Sequence, residues 1–208
     1  VSLNNFSSYT ITIKSTAVGT TDAQYIVSNT FNISVPTIFT KNDNSINSLS
    51  ITGALTSTDY PAGWTPSDIK KVDVGLGVTS IEGQGMFTGG AFSAADNLTT
   101  IIISHTVTSI GAGAFRISGG LTSALSSITF ETGSTLTTIN GTAFQTTANL
   151  TTITIPSSVT TIGAGAFRFS GLTSITFEAS SLLTSIGTEV FFACSSLTSI
   201  VMPNSVTY

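Results

Sequence analysis

The sequence predicts a mainly β fold, a solenoid of stacked coils with short parallel strands in each coil, preceded by a small β-rich N-terminal module. Three observations support this prediction. Residues 150–171, LTTITIPSSVTTIGAGAFRFSG, recur in near-copies along the chain. Each copy begins with an alternating segment of the type L-x-x-I-x-I. Most copies close on a phenylalanine, and these phenylalanines are 28, 29, 23 and 24 residues apart, at Phe87, Phe115, Phe144, Phe167 and Phe191.

The alternating segment predicts a strand. Its isoleucines point to one side of an extended chain and its threonines to the other, and β-branched residues favour such a half-buried surface. A V-T-x-I-G segment and a Gly-Ala-Phe turn then supply the return path. One copy cannot cover its own apolar edge, so the copies have to stack. Because the intervals lie in or beside the range of leucine-rich repeats, we predict a leucine-rich-repeat solenoid with interior columns of Leu, Ile and Phe.

The first 47 residues do not follow the repeat. Residues 9–13 (YTITI) and 31–35 (FNISV) alternate between polar and apolar side chains and predict antiparallel strands. Polar clusters at 19–22 and 41–45 predict turns. We therefore expect residues 1–47 to form a β-rich N-terminal module, which is a cap of the solenoid, an appended β-domain or the remnant of a β-sandwich.

Residues 48–68 predict the N-terminal cap of the solenoid, because a first coil lacks a neighbour and needs apolar cover. The residues expected to supply that cover are Tyr60, Pro61, Trp64 and Pro66. Residues 69–208 predict about five and a half coils. Insertions rich in Gly, Ala and Ser at 87–97 and 115–124 predict bulges on one edge. Later in the chain two kinds of coil alternate, one reading I-T-I-P and the other I-T-F-E.

The repeats resemble a known family. LTTITIPSSVTTIGAGAF and LTSIVMPNSVT are similar to BspA-type leucine-rich repeats, whose pattern is L-x-x-I-x-I-P-x-x-V-x-x-I-G-x-x-A-F-x-x-C. The resemblance covers residues 48–208. The proline of the pattern is kept at Pro156 and Pro203, and the cysteine at Cys194. The resemblance implies a leucine-rich-repeat fold and a surface location, because such repeats occur in cell-surface proteins of bacteria and protists and in large DNA viruses.

Charged side chains are scarce. They make up 8% of the 208 residues, whereas Ser and Thr make up about a third, and a quarter charged is usual. This composition favours an extracellular or surface-exposed protein, on a cell or a virion, over an intracellular one. A net charge of −4 with six Lys and Arg in all argues against nucleic acid as a partner.

No apolar run in this segment is long enough to span a membrane. The chain begins at Val1 without a signal peptide and stops part-way through a repeat. We expect a processed chain or a piece of a longer one, with further repeats or another subunit stacked on the last coil.

The sequence offers no candidate catalytic, metal-binding or cofactor-binding residues. His105 is the single histidine, and no Cys, Asp or Glu constellation accompanies it. Cys194 is the single cysteine and is expected to be a small buried side chain. Gly-Ala-Gly at 111–113 and 163–165 recurs in register, which indicates turns and not phosphate loops. We therefore predict a protein that is not an enzyme and binds no cofactor. Charges at equivalent positions of the coils are expected to be solvated loop residues: Glu131, Glu178, Arg116 and Arg168.

The surface with a pattern is the outward side of the L-x-x-I-x-I strands. Its hydroxyl groups either keep a β surface soluble without much charge, or they form a flat ladder that contacts a protein, a glycan or another copy of the chain. For the second case, the predicted partner-binding residues are Thr100, Ser127, Thr129, Thr152, Thr154, Ser174, Thr176 and Ser199. Ile102 and Val201 interrupt the ladder.

Two functions follow as expectations. The first is a non-enzymatic, surface-displayed interaction or adhesion module that binds a protein or glycan through the solenoid. The alternative is a structural subunit of an extracellular filament, sheath or virion surface, which sparse charge and stackable coils also suit. A membrane anchor or sorting signal in flanking sequence would favour the first.

Overall fold

A computed structural model describes residues 9–12, 28–31, 36–49, 51–56, 59, 61–83, 97–116 and 123–207. Short strands dominate, and a single turn of 3₁₀ helix spans Pro66–Asp68. The strands are β1 (Tyr9–Thr12), β2 (Ser28–Phe31), β3 (Thr37–Lys41), β4 (Ile46–Leu49), β5 (Gly53–Leu55), β6 (Ile69–Asp73), β7 (Val78–Ile81), β8 (Thr100–Ile103), β9 (Ser109–Ile110), β10 (Ser127–Phe130), β11 (Thr138–Ile139), β12 (Thr152–Ile155), β13 (Thr161–Ile162), β14 (Ser174–Phe177) and β15 (Ser185–Ile186).

Each coil of the solenoid has three sides. The front side consists of β6, β8, β10, β12 and β14, which lie beside one another in that order. The back side is a parallel sheet of β5, β7, β9, β11, β13 and β15. The turn side consists of the turns that follow β9, β11, β13 and β15 and carry the repeating phenylalanine. The predicted fold class, a mainly β solenoid with short parallel strands, is confirmed, although the last coil has no strand at 197–207.

The core follows the predicted alternation. In β8, Ile101 and Ile103 are fully buried while Thr100 and Ile102 are half-buried, and β12 repeats the pattern. A column of phenylalanine rings fills the turn side of the core. Neighbouring rings stack with centroids 5.0, 5.3 and 5.9 Å apart and with interplanar angles of 11° or less. The column contains Phe115, Phe144, Phe167 and Phe191; Phe87 lies outside the described residues.

The turn side is joined from coil to coil by its own backbone. The amide of Phe144 donates to the carbonyl of Ala166 at 2.8 Å, and the amide of Phe167 donates to that of Val190 at 3.0 Å. A left-handed residue precedes each phenylalanine by two positions, at Gly113, Thr142, Gly165 and Glu189. A second one follows by two positions at Thr146, Phe169 and Ala193. Side chains adopt this conformation at a cost, so the turn geometry is imposed by the stack and not by local preference.

A threonine ladder runs along the back side. The hydroxyl of Thr137 donates to the carbonyl of Thr108 at 3.1 Å, and that of Thr160 donates to the carbonyl of Thr137 at 3.1 Å. Thr108 and Thr184 make the equivalent bonds to the coils before them. Each hydroxyl of the V-T-x-I segment therefore satisfies a backbone acceptor of the neighbouring coil. This ladder explains part of the high threonine content without any partner.

The N-terminal hairpin of β3 and β4 extends the front side. β3 pairs antiparallel with β6, with Phe39 opposite Val72, and β4 pairs with β3. The side-chain amide of Asn42 donates to the carbonyl of Ser67 at 2.9 Å and fastens the hairpin turn to the 3₁₀ helix. The sequence placed Lys41 in a turn and predicted no strand at 37–41. One pairing partner of that strand, β4, is local, but the other, β6, lies about 30 residues further along the chain and could not be predicted from the local sequence.

The strands nearest the N-terminus form a separate pair, in which β1 and β2 run antiparallel with Tyr9 opposite Phe31. Antiparallel pairing was predicted here, but the second strand lies at Ser28–Phe31 and meets the predicted 31–35 only at Phe31. Residues 19–22 and 32–35 lie outside the described residues. The predicted division of the chain at residues 47 and 68 stays a prediction, although its first boundary falls inside β4.

The apolar side chains predicted to cover the first coil are described in part. Pro61 is buried and Trp64 packs against the core, whereas Tyr60 lies outside the described residues. The Lys41 ammonium lies 5.2 Å from the centroid of the Trp64 ring and 3.5 Å from the Asp68 carboxylate. Hydrogen bonds from the amide and hydroxyl of Thr65 hold the pKa of Asp68 below its usual value.

Candidate functional site

The predicted partner-binding residues form one surface, which we call the hydroxyl face. It consists of the outward side chains of β8, β10, β12 and β14. Strand register places Thr100 beside Ser127 and, in the next pair, Thr152 beside Ser174. A second column holds Ile102 beside Thr129 and Thr154 beside Thr176. Ser199, the eighth predicted residue, is exposed but lies in a segment without strand structure.

The hydroxyl face carries no charge among its described residues. Thr154 and Thr176 share a hydrogen bond of 2.8 Å between their hydroxyls. Thr129 and Thr152 are exposed, and neither hydroxyl has a hydrogen-bond partner among the residues described. Charges border the face: Lys71 and Asp73 of β6 lie opposite Thr100 and Ile102 and pair with each other at 2.9 Å, and Glu131 and Glu178 directly follow β10 and β14. The face can therefore donate and accept hydrogen bonds but cannot attract a ligand by net charge.

The front side is divided into strand pairs. β8 pairs with β10, and β12 pairs with β14. Within the described chain no ladder and no backbone hydrogen bond joins β10 to β12, although the two strands are neighbours. A side-chain bond from Asn149 to the carbonyl of Ser123 at 2.7 Å bridges the two coils near this point. The back side stays joined there, with Thr138 opposite Thr161.

The two kinds of coil, I-T-F-E and I-T-I-P, explain which front-side strands pair with each other. The amide of Glu131 donates to the carbonyl of Ile103 at 3.0 Å, and its carboxylate accepts from the amide of His105 at 3.2 Å. In the β12 coil, the amide of Glu178 likewise donates to the carbonyl of Ile155 at 3.0 Å, and the Glu178 carboxylate accepts from the amide of Ser157 at 2.9 Å. These glutamates were expected to be solvated loop residues, but they fasten one coil to the coil before it.

At the equivalent position of the other kind of coil stands a proline. Pro156 and Pro203 lack the amide hydrogen that Glu131 and Glu178 use for this bond. Pro156 follows β12, which does not pair with β10, and Pro203 follows 198–202, which do not pair with β14. The alternation of I-T-I-P with I-T-F-E was visible in the sequence, but its effect on pairing was not predicted.

The described residues contain no group of three His, Cys, Asp or Glu side chains that could hold a metal ion. The single histidine contacts one carboxylate, with His105 Nδ1 3.2 Å from Glu131 Oε2. Cys194 is buried as predicted and is a free thiol. Its Sγ lies 3.1 Å from the carbonyl oxygen of Phe167 and 3.3 Å from Ser170 Oγ.

Residues 85–208, or 124 of 208, match the family model described as BspA type leucine-rich repeat region, with six copies. The chain belongs to this family. The buried column formed by Thr147, Ser170 and Cys194 occupies the cysteine position of the BspA-type pattern. In two of these three coils a hydroxyl takes that place, and Thr147 Oγ1 donates to the carbonyl of Phe144 at 2.8 Å.

A solved structure shares the fold of this BspA-type chain, and others are similar to it in part. A leucine-rich repeat protein from Eubacterium ventriosum is 24% identical with a TM-score of 0.60, over 82% of this chain and 42% of that one. The chain therefore spans less than half the length of that protein. The pneumococcal vaccine antigen PcpA is 19% identical, with a TM-score of 0.47 over 83% of this chain and 60% of its own.

A leucine-rich cell surface protein from Faecalibacterium prausnitzii is 19% identical, with a TM-score of 0.31 over 78% of this chain and 52% of that one. No curated protein matches the sequence. BspA-type repeat proteins are in general surface or interaction proteins. Within the described part of the chain, no helix has the length and apolarity needed to cross a bilayer.

An aromatic cluster that the sequence analysis missed lies on the turn side of the BspA-type coils. Phe169 and Phe192 are 43% and 50% exposed and pack edge to face with centroids 5.7 Å apart. The Arg168 guanidinium lies 4.9 and 4.8 Å from the two ring centroids and 3.2 Å from the Glu189 carboxylate. Arg168 was expected to be solvated. Two of its three partners, Glu189 and Phe192, come from the next coil. The signal in the sequence was the presence of two phenylalanines outside the repeating column.

Proposed function

We propose that this chain is a non-enzymatic, surface-displayed interaction module that binds a protein or a glycan through the hydroxyl face. The observation that carries the proposal is the alignment of uncharged hydroxyls from successive coils in two columns. Columns of donors and acceptors on a β surface match a partner that itself presents hydroxyl or amide groups. The shortage of Lys and Arg disfavours nucleic acid, whose binding depends on neutralising phosphates.

Surface display is part of the same proposal. The 8% charged fraction is low for a protein that stays soluble in a crowded cell, and the Faecalibacterium relative is named as a cell surface protein. Extracellular partners are often glycans or other displayed proteins. Weak single contacts repeated along a solenoid give useful affinity for such partners, because many adjacent coils bind at once.

Lysines on the hydroxyl face are expected to abolish binding without unfolding the chain. Thr129→Lys with Thr152→Lys replaces two exposed hydroxyls with long cations, which block close approach and must be desolvated at an interface. We expect binding to a glycan array, and to a panel of purified extracellular proteins, to fall at least tenfold. The melting temperature should stay within about 3 °C, as for surface substitutions.

The matched control is Thr79→Lys with Ser185→Lys, which places the same two cations at exposed back-side positions whose side chains form no hydrogen bond among the described residues. This variant should bind as wild type does, since the back side is not part of the proposed interface. If the front-side variant keeps its binding, or if both variants lose it equally, the hydroxyl face is not the binding surface.

A structural subunit of a filament, sheath or virion surface is the second candidate. It is favoured by the unpaired strand edge of β14, because such an edge invites pairing with another chain. Sedimentation velocity and electron microscopy at increasing concentration separate the two functions. A monomer with partner affinity supports the interaction module, whereas concentration-dependent fibres or sheets support the structural subunit.

A further inference from the structure

We propose that the groove beside β14 is a docking site for an extended, basic peptide, which adds a strand to β14. This goes beyond the hydroxyl face, because the affinity comes from main-chain pairing at a strand edge and not from outward side chains. The groove lies between β14 and residues 199–205 and has a volume of about 570 Å³. That volume is in the range of pockets that hold ligands. Residues lining it include Thr176, Phe177, Glu178, Ser199, Met202 and Ser205.

The edge of β14 that borders the groove has free main-chain groups. The amides of Ser174 and Glu178 donate toward the β12 coil, to Thr151 at 3.2 Å and Ile155 at 3.0 Å. Since main-chain groups alternate between the two edges of a strand, those of Ile175 and Phe177 point to the groove. Residues 198–202, all described, make no backbone hydrogen bond to them. An added strand would satisfy these groups, as in other cases of peptide recognition by strand addition.

The negative charge in the groove favours a basic peptide over a neutral or acidic one. Among the described lining residues, Glu178 alone is charged, and the chain as a whole carries −4. The Glu178 carboxylate is exposed, and one of its oxygens is held by the Ser157 amide at 2.9 Å. A peptide that pairs with β14 as β14 pairs with β12 runs parallel to it, with its first residue at the position that matches Thr173. Its sixth residue then lies beside Glu178. Lysine or arginine there forms a charge-assisted hydrogen bond.

The probe is a fluorescein-labelled hexapeptide, Thr-Ser-Ile-Thr-Phe-Lys, which copies residues 173–177 and ends on lysine. Anisotropy titration with the 208-residue chain is expected to show saturable binding. Methylating the backbone nitrogens of Ser, Thr-4 and Lys removes the amides that would face β14 and should weaken binding at least tenfold. Methylating those of Ile and Phe, which would point away, should change it less than about threefold. Ending the peptide on glutamate should also weaken binding about tenfold.

The protein variants complete the test. Glu178→Gln should bring the lysine and glutamate peptides within about twofold of each other, while circular dichroism shows an unchanged fold. Thr129→Lys with Thr152→Lys, outside the groove, should leave peptide binding intact, so this proposal and the hydroxyl face can fail separately. The proposal is overturned by equal binding of the two methylated peptides, by indifference to the terminal charge, or by no binding at 1 mM peptide. Occlusion of the groove by a second copy of the chain, seen by sedimentation, would also overturn it.

Discussion

Phe167→Ala is expected to lower the free energy of unfolding by about 3–5 kcal/mol, the range for truncating a buried aromatic side chain. Phe167 is fully buried, and its ring stacks on Phe144 at 5.3 Å and on Phe191 at 5.9 Å. The cavity would lie between two coils, so packing is lost on both of its sides. Urea denaturation followed by circular dichroism measures the change.

The control for this variant is a substitution two residues further along the chain. Phe169 is 43% exposed and lies outside the phenylalanine column, so Phe169→Ala should cost no more than about 1 kcal/mol, as for other surface positions. The comparison separates burial in the column from loss of a phenyl ring. Equal costs for the two variants would mean that the column does not hold the coils together.

Gly163→Val is expected to cost about 3 kcal/mol, at the upper end of the usual cost of overpacking. A Cβ on Gly163 would overlap the backbone of Asn140 and Gly141 in the preceding coil. Backbone atoms cannot move aside as the end of a flexible side chain can, so the coils must separate. Gly187 meets the backbone of Ala164 in the same way, which shows that this close approach belongs to the stack.

Ala164→Val is the matched control, since it adds similar bulk at the next residue. Ala164 is exposed, so its enlarged side chain enters solvent, and we expect a change within about 0.5 kcal/mol. Thermal unfolding of both variants and of the wild-type protein measures the two changes in stability. A Gly163→Val protein that melts with wild type would show that the coils are spaced more widely here than the structure indicates.

The sequence alone predicted the repeat, the strand in each coil and the phenylalanine column. These features depend on local alternation and on a regular interval, which can be read without knowing which coil lies beside which. Ile153 and Ile155 point inward because alternation in an extended chain requires it. The hydroxyl columns follow from the same rule. For these reasons seven of the eight predicted surface residues lie on strands of the front side, whereas Ser199 lies in a segment without strand structure.

Only the tertiary structure decided how neighbouring coils join. Whether β12 pairs with β10 or with β14 depends on contacts between residues more than 20 positions apart, and each isolated strand has the same alternating pattern. Glu131 and Arg168 read as solvated charges because their partners, the His105 amide and the Phe192 ring, belong to adjacent coils. The β3 hairpin likewise meets β6 only after the chain has folded back. Local sequence specifies the coil, and the stacking of unlike coils determines where strand edges stay open.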